Sequence, residues 1–572
     1  MRIFRTLREL GVRSIAVYSD ADAWARHVGY ADEAFALGGD APAETYLAIE
    51  KLIATARRAG ADAVHPGYGF LAENAEFARA VEAAGLTWIG PPPDAIELMG
   101  HKTEARRRMR AAGVPIVPGT TEPVVSTAEV VRLGEELGYP LIVKAAAGGG
   151  GKGMKIVRGP DEIDRALESA RREGAAYFAD DRVYIERFLD DPRHVEVQIL
   201  ADAHANVIHL GERDCTIQRR HQKLIEETPS PAVDEELRRR IGAIAVDAAR
   251  AAGYRSAGTI EGLLEPDGSY YFMEMNTRIQ VEHTLTELVA GLDLVREQLL
   301  IAAGEPLSLR QEEVRLTGHA IECRINAEDV ARGFLPAPGR ITAYREPAGP
   351  GIRVDSGVVA GSEISPLYDP MIAKVIAHGQ DREHARRRML RALDEFTIEG
   401  VPTLLGFHKA LLAHPCFVEG ATCRGVVESE SLAESAVSLS HSTTTIDAAS
   451  DGAGPRLRPR TRDVEVDGRR FAVKVLVREP PWRELARKRR ERAARHAAGG
   501  GADAVESPMQ GTVLAVRVSE GDGVEIGQLL CIIEAMKMEN EVHAPRAGTI
   551  ARLSIADGEA VTAGQTICVI ES

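Results

Sequence analysis

Directly after the strand-like segment 140–145 (PLIVKA) comes a run of glycines, Gly148-Gly149-Gly150-Gly151, followed by Lys152. Lacking side chains, such a run can approach phosphates closely and point backbone N–H groups at them. It does not fit the Walker pattern, because no Ser or Thr follows the lysine. A flexible linker reads the same way, so the weight of the run comes from its company. Lys102 and Lys144 stand upstream, Glu186, His194, Gln218 and His221 follow, and the acids Glu261 and Glu274 come with Asn276. Hard oxygen ligands of this kind suit Mg2+ (or Mn2+) held between protein and nucleotide phosphates. Taken singly, each carboxylate would be an ordinary surface or ion-paired residue. Further on, Arg278, Gln280 and Glu282 alternate in the segment 277–283 (TRIQVEH). An extended backbone there would turn all three to one face and line a pocket.

A second chemical signal lies at the end of the chain. The segment SPMQGTVLAVRVSEGDGVEIGQLLCIIEA, starting at Ser507, is matched without a gap by APRAGTIARLSIADGEAVTAGQTICVIES, starting at Ala544. Two similar strand–turn units joined end to end predict a small β sandwich with pseudo-twofold symmetry. Their joint, Ala535-Met536-Lys537-Met538-Glu539, belongs to neither repeat. A lysine on such an exposed turn presents a flexible, modifiable amine. The segment resembles a biotinyl domain, with the family motif A-M-K-M at 535–538. Lipoyl domains share the fold but usually lack methionines on both sides of the lysine.

The segments HPGYGFLAEN (65–74), GPPPDAIELMGHK (90–102), KAAAGGGGKGM (144–154), DPRHVEVQIL (191–200), GERDCTIQRRHQKLIEE (211–227), MEMNTRIQVEH (273–283), ECRINAED (322–329) and FLPAPGRI (334–341) resemble biotin carboxylase, an ATP-grasp enzyme. The resemblance covers nearly everything from Met1 to about Val426. With the biotinyl tail, the arrangement is similar to the biotin-containing alpha subunit of bacterial acetyl-CoA or propionyl-CoA carboxylases.

This resemblance implies roles residue by residue. Lys102, Lys144, His194, Gln218, His221, Leu263 and the loop Gly148–Gly151 would hold ATP, with Glu186 and the backbone near Leu189 at the adenine. Glu261, Glu274 and Asn276 would carry the metal. Lys223, Arg278, Gln280, Val281 and Glu282 match positions that bind bicarbonate. Glu282 matches the general base, and Arg324 the arginine that stabilises deprotonated biotin. The chemistry makes sense: bicarbonate is a poor electrophile, ATP activates it as carboxyphosphate, and cations around a carboxylate base stabilise what forms. Biotin on Lys537 would be attached by a biotin protein ligase. No segment is long enough to form a carboxyltransferase, so a separate carboxyltransferase (beta) subunit is expected, in an oligomeric complex.

These residues need elements to position them. From Met1 to about Pro140, helical stretches alternate with short strands (14–19, 61–65, 86–89), which implies βαβ units and a parallel sheet. The expected fold is α/β and α+β multidomain. A Rossmann-like pre-ATP-grasp domain would span 1–100, the ATP-grasp domain 101–304 and a biotin carboxylase C-terminal domain 305–426, the last from strand-like runs such as HAIECRIN, GIRVDSG and MIAKVIAHG. A linker would span 427–504, with a short hairpin around Asp467-Gly468 and a basic helix-like stretch, and the all-β biotinyl domain 505–572. The linker is too poor in large apolar residues to bury a core. If roughly 25 of its residues are flexible, they reach about 25–30 Å.

The formal net charge of −15 over 572 residues argues against a nucleic-acid partner, which would need a basic face. Six cysteines without a C-x-x-C pair read as reduced thiols. No apolar run approaches the ~20 residues that span a bilayer, so no membrane is expected and a cytoplasmic protein is. The family pattern places a strand and an N-R-G-E-I-A turn ahead of the helix at Arg2; both are absent, and a chain start assigned too far downstream is the preferred explanation, with a real truncation that impairs activity as its rival. Three other readings compete. One is a carboxylase for a longer or branched acyl-CoA, one a biotin carrier and scaffold without ATP turnover, and one a plain ATP-grasp ligase, which leaves the tail unexplained.

Overall fold

The computed structural model describes residues 1–120, 122–145, 154–178, 182–440, 457–466, 469–478, 504–535 and 538–571. Two compact units contain them, Met1–His441 and Ser442–Ser572.

Helix α1 (Arg2–Glu9) opens the first unit and precedes strands β1 (Ile15–Tyr18), β2 (Glu33–Ala36), β3 (Ala63–Val64) and β4 (Thr87–Trp88). β1 pairs with β2, and β3 with β4, both in parallel. They form two separate two-stranded sheets where one doubly wound sheet was expected. Among the described residues no strand joins the two pairs, and a sheet is continuous only where a backbone ladder fills it. The surrounding helices still bury Leu71, Phe77, Val81, Trp88 and Ile96 together. α1 is anchored through Arg2, whose Nη2 donates to Glu287 and Asp293 at 2.5 Å each.

Strands β5 (Leu141–Ala145), β6 (Met154–Val157) and β7 (Val183–Arg187) make a three-stranded antiparallel sheet with β5 in the middle. Ile163 and Leu167 of the following helix pack on its Leu141, Val143, Val183 and Ile185. The glycine loop between β5 and β6, with Gly148, Gly149, Gly150 and Gly151, lies outside the described residues.

The main sheet has eight strands. Its order is β12 (Tyr270–Asn276), β11 (Ser256–Leu264), β8 (Arg193–Ala201), β9 (Val207–Arg219), β10 (Gln222–Thr228), β13 (His319–Asn326), then Met371–Gly379 and Ile352–Ser356. β8 shows how sequence makes the layer. Val195, Val197 and Ile199 sit in one core with Ile241, Ala245 and Ala248 of the helix Glu235–Ala251. The alternate residues His194, Glu196 and Gln198 therefore face the other side. Burying each of those branched side chains stabilises the layer by roughly 1.5–3 kcal/mol. The last three strands come from the segment expected to form a C-terminal domain, and they extend the same sheet through the β10–β13 ladder.

Two expectations change here. The stretch read as linker from 427 begins with a helix, Glu430–Ser440, whose Leu432 and Ala436 are buried. It packs on the helix Leu405–Ala413 because Gly406 has no side chain: a Cβ there would lie 2.2 Å from the Ala436 carbonyl. Small residues at the contact replace the large apolar ones whose scarcity suggested a linker. Cys416 and Cys423, read as reduced thiols, are joined as a disulfide, while Cys215, Cys323, Cys531 and Cys568 are free and buried.

In the second unit, the strands Leu457–Val466 and Arg469–Arg478 pair antiparallel, and the turn expected at Asp467-Gly468 lies outside the described residues. The repeat forms the expected sandwich of two four-stranded sheets. Equivalent residues of the two halves, among them Val513, Cys531 and Ile533 with Ile550, Cys568 and Ile570, share its core. Lys537 lies outside the described residues; the strands Leu529–Ala535 and Met538–His543 that flank it pair with each other. Among the described residues no helix is long and apolar enough to cross a membrane.

Candidate active site

Register alone lays a charged row across four strands of the main sheet. Glu274 on β12 stands opposite Glu261 on β11, Glu261 opposite Glu196 on β8, and Glu196 opposite Arg213 on β9. Like charges directly opposite repel, and the site answers with buried cations. Arg213, fully buried, donates to Glu196 Oε1 at 2.6 Å and to Gln198 and Thr286 at 2.8 Å. Lys223 Nζ reaches three carboxylates: Glu196 at 2.6 Å, Glu282 at 2.7 Å and Glu261 at 2.8 Å.

Glu282 stands at the N-cap position of the helix His283–Ala290, makes no capping bond with its side chain and is 2% exposed. Its Oε2 accepts from Arg324 Nη2 at 2.9 Å. Burial alone would raise its pKa, but Lys223, Arg324 and Arg213 hold it well below the usual carboxylate range. Lys223 is in turn held well above its ordinary value, since Glu196 and Glu282 outweigh its burial. The segment 277–283 is not the extended strand expected: it bends at Arg278, turns at 281–282 and enters a helix at His283. Gln280 and Glu282 still converge on Lys223, with Gln280 Oε1 at 3.5 Å. Arg278 turns aside to Glu73 at 2.9 Å and Asn276 at 3.0 Å. The Val281 carbonyl accepts from the buried Lys374.

Between Glu261 and Glu274 the charges remain unequal. Lys223 and His194 keep Glu261 well below its ordinary pKa against its burial, whereas burial and then Glu261 itself push Glu274 up. The two opposed carboxylates, with Asn276, whose amide oxygen at present accepts from Arg278, bring together hard oxygen donors of the kind that suits Mg2+. A cavity of ≈ 200 Å³ opens there, lined by Lys102, Glu73, Glu274, Asn276 and Thr277.

The residues expected at the nucleotide gather on both sheets. Lys144 on β5 pairs with Glu186 on β7, which also takes Arg106 at 2.8 Å. Burial would raise Glu186, but Lys144 and Arg106 bring it below its ordinary value. Leu189 is buried nearby in sequence. His194 Nδ1 meets Gln218 Nε2 at 3.0 Å, and its Nε2 lies 3.0 Å from Glu261. Leu263 stands opposite His194 in the β8–β11 ladder. His221 sits exposed in the β9–β10 turn, where Arg220 and His221 both take positive φ.

Sequence reading missed Glu196, Arg213 and Glu226. Glu196 was within reach, two residues beyond His194 on one strand face. Glu226 was hidden by register shifts between Lys223 and Ile225 and between Ile225 and Glu227, which bring residues three apart toward one site.

Profiles of four families match the chain: Biotin carboxylase, N-terminal domain, at residues 1–96; Carbamoyl-phosphate synthase L chain, ATP binding domain, at 101–310; Biotin carboxylase C-terminal domain at 322–429; and Biotin-requiring enzyme at 503–570. Biotin carboxylase 1 of Bacillus subtilis (strain 168) is 52% identical over 421 residues, 73% of this chain and 94% of that protein. The biotin-dependent acyl-coenzyme A carboxylase alpha3 subunit of Mycobacterium leprae (strain TN) is 44% identical over 566 residues, covering 95% of this chain and 92% of that protein. Among solved structures, a Campylobacter jejuni biotin carboxylase–β-γ-ATP complex superposes with a TM-score of 0.70 at 43% identity over 74% of this chain and 95% of that one. The biotin carboxylase domain of Hydrogenobacter thermophilus 2-oxoglutarate carboxylase, in complex with MgADP, ADP and bicarbonate, gives 0.69 at 46% identity over 74% and 93%. The chain belongs to the biotin carboxylase family, as a ligase-type ATP-grasp enzyme that carboxylates biotin with ATP and Mg2+ and carries a biotinyl domain on the same polypeptide.

Proposed function

We propose that the chain activates bicarbonate with ATP and delivers the carboxyl group to biotin held on Lys537, which then serves a separate carboxyltransferase (beta) subunit acting on acetyl-CoA or propionyl-CoA. The observation that carries this reading is the single ammonium of Lys223 shared by Glu196, Glu261 and Glu282. It joins the side that would hold metal and phosphate to the candidate base, in one buried site.

Glu261, Glu274 and Asn276 would hold Mg2+ against the phosphates, and Lys102, Lys144, His194, Gln218, His221 and the glycine loop would hold the nucleotide. Glu282 takes the proton of bicarbonate. At rest its two oxygens are occupied by Lys223 and Arg324, which makes it a weak base. A bound bicarbonate draws both cations to itself, so the carboxylate gains basicity as the substrate arrives. Lys223, Gln280 and the Val281 backbone orient the anion; Arg278 must leave Glu73 to join them. The attacked γ-phosphoryl group goes to the bicarbonate oxygen and ADP leaves. Carboxyphosphate then breaks into CO2 and phosphate; biotin would supply the ureido nitrogen that takes up the CO2 once its proton has passed to the released phosphate, and Arg324 would stabilise the charge on the ureido oxygen.

The acceptor pair is suggested by likeness to an acyl-CoA carboxylase alpha subunit. A biotin protein ligase would load Lys537, and the carboxylase body would work within an oligomeric complex. Phosphate release by the full chain with ATP, Mg2+, bicarbonate and free biotin tests the reading. Biotin-stimulated turnover that disappears in Glu282→Gln is the expected result; turnover indifferent to biotin would sink it.

A further inference from the structure

Behind Arg324 lie two acids that the chemistry above does not use. Glu226 and Glu322, both fully buried, stand directly opposite each other on β10 and β13. Side chains so paired in an antiparallel sheet have Cβ atoms about 4.5–5.5 Å apart. Glu226 Oε1 accepts from Arg324 Nε at 2.6 Å, and Glu322 Oε2 accepts from the Thr284 hydroxyl. The remaining oxygens, Glu226 Oε2 and Glu322 Oε1, have no hydrogen-bond partner among the described residues.

The charges around them are these. Glu322 and Arg324 come from β13, Lys223 from β10, Glu282 from the head of the helix His283–Ala290, and Lys374 from the strand Met371–Gly379. The Cys215 and Cys323 thiols and the Tyr68 hydroxyl feel the same acids, and burial is the first cause raising all three. Lys223 and Arg213 are engaged by Glu196, Glu261 and Glu282, and Lys374 donates to the Val281 carbonyl and faces Asp355, so Arg324 is the one cation among the described residues hydrogen-bonded to either facing acid, and Glu282 shares it. Two facing buried acids that share a single guanidinium leave negative charge short of a partner, which is costly in a buried site. One proton between the two facing carboxyls removes that cost, as it does wherever like charges share a site.

We propose that Glu226 is a positioning residue for the reaction: paired with Glu322 and sharing one proton with it, it grips the guanidinium of Arg324 by Nε. Nε is the inner edge of the group. Holding it fixes the plane of the guanidinium and leaves both terminal nitrogens for Glu282 and the biotin ureido oxygen. Burial, with Glu322 and Glu282 adding and Arg324 opposing, pushes Glu226 up to about 8, in keeping with a proton held at neutral pH. Thr284 belongs to the device, since its hydroxyl directs one oxygen of Glu322 away from the pair.

The inference rests on the proposed function, and the test separates the two. Phosphate release by the full chain with ATP, Mg2+ and bicarbonate is measured with and without saturating free biotin, from about pH 6.5 to 9.5, for wild type, Glu226→Ala and Glu226→Gln. Glu226→Ala should lower the ratio of biotin-stimulated to biotin-independent turnover by at least about tenfold. Glu226→Gln should keep more than about a fifth of the wild-type ratio, because its amide oxygen accepts from Nε and its NH2 group replaces the shared proton. Wild-type stimulation should decline above about pH 8 as the shared proton is lost, and Glu226→Gln should not show that decline. A smaller fall in Glu226→Ala, an equal fall in both activities, or a Glu226→Gln below a fifth would each overturn the proposal. If Glu226→Ala melts below the assay temperature, Glu226→Gln decides by the same threshold. A wild type without biotin stimulation would instead refute the proposed function.

Discussion

Lys223 donates to Glu282 at 2.7 Å while Arg324 holds the other oxygen of the same carboxylate at 2.9 Å. The candidate base is thus clamped between two cations that it must surrender. Replacing Glu282 with Gln keeps the size and one acceptor oxygen but removes the charge and the basicity. Biotin-dependent phosphate release should fall by about 10²–10⁴-fold, the usual worth of a positioned base, when assayed below the melting temperature of the variant, which loses its pairs with Lys223 and Arg324. A loss below about tenfold would assign the proton to another acceptor.

Lys537 sits at the joint of the two repeats. Lys537→Ala should abolish incorporation of biotin, read by avidin blot, and acyl-CoA carboxylation with a supplied carboxyltransferase. Carboxylation of free biotin should persist. Loss of the free-biotin reaction as well would show that this lysine serves the N-terminal body.

Glu274, opposite Glu261 and raised by burial and by that neighbour, is expected to become a metal ligand. Wild-type protein should gain thermal stability on titration with MgADP, and Glu274→Gln should need at least about tenfold more Mg2+ for the same gain, a cost of ~1.4 kcal/mol. An unchanged titration would remove Glu274 from the metal site.

Arg213 is fully buried and satisfies Glu196 on one side. Arg213→Met leaves that carboxylate with Lys223 alone. Breaking a buried pair by deleting one partner costs about 3–5 kcal/mol, which urea denaturation of the first unit should show. A loss under ~1 kcal/mol would mean that Lys223 suffices.

His65 accepts at Nδ1 from the Gly67 N–H at 3.0 Å and meets Gln298 Oε1 through Nε2 at 3.1 Å. That arrangement needs the neutral ring, and burial holds its pKa at about 4 from an ordinary 6.5. Between those values the unfolded chain binds the extra proton. The stability His65 supports is therefore complete above about pH 6.5 and is lost as pH falls toward 4. Melting temperatures between about pH 7 and 4.5 should drop more steeply for wild type than for His65→Gln; parallel curves would clear His65 of that role.

Some of the site was legible because the chemistry restricts residue type. Lys144 and Glu186, His194 and Gln218, and Glu261 and Glu274 are each brought into contact or direct register. Arg278, Gln280 and Glu282 were read as one strand face, but the chain turns there, and a two-residue period holds only on extended backbone. Glu226 was illegible for a related reason, since β10 shifts register once before it and again across it. The helix Glu430–Ser440 was missed because small residues pack as closely as large ones when a glycine faces them.

By itself the sequence determined the kinds of groups available and the local patterns that present them: a glycine run after a strand, lysines and carboxylates around it, and an end-to-end repeat around one lysine. These follow from side-chain size, charge and the pleat of a strand, which need no distant partner. Only the tertiary structure decided how the charges balance. Glu274, Glu261, Glu196 and Arg213 come from four strands separated in sequence, and sheet order alone makes them one row. The opposition of Glu226 and Glu322, and the grip of one lysine on three acids, are likewise set by strand register. Coulomb energies in a buried site depend on distances of a few ångströms, which only the assembled sheet fixes.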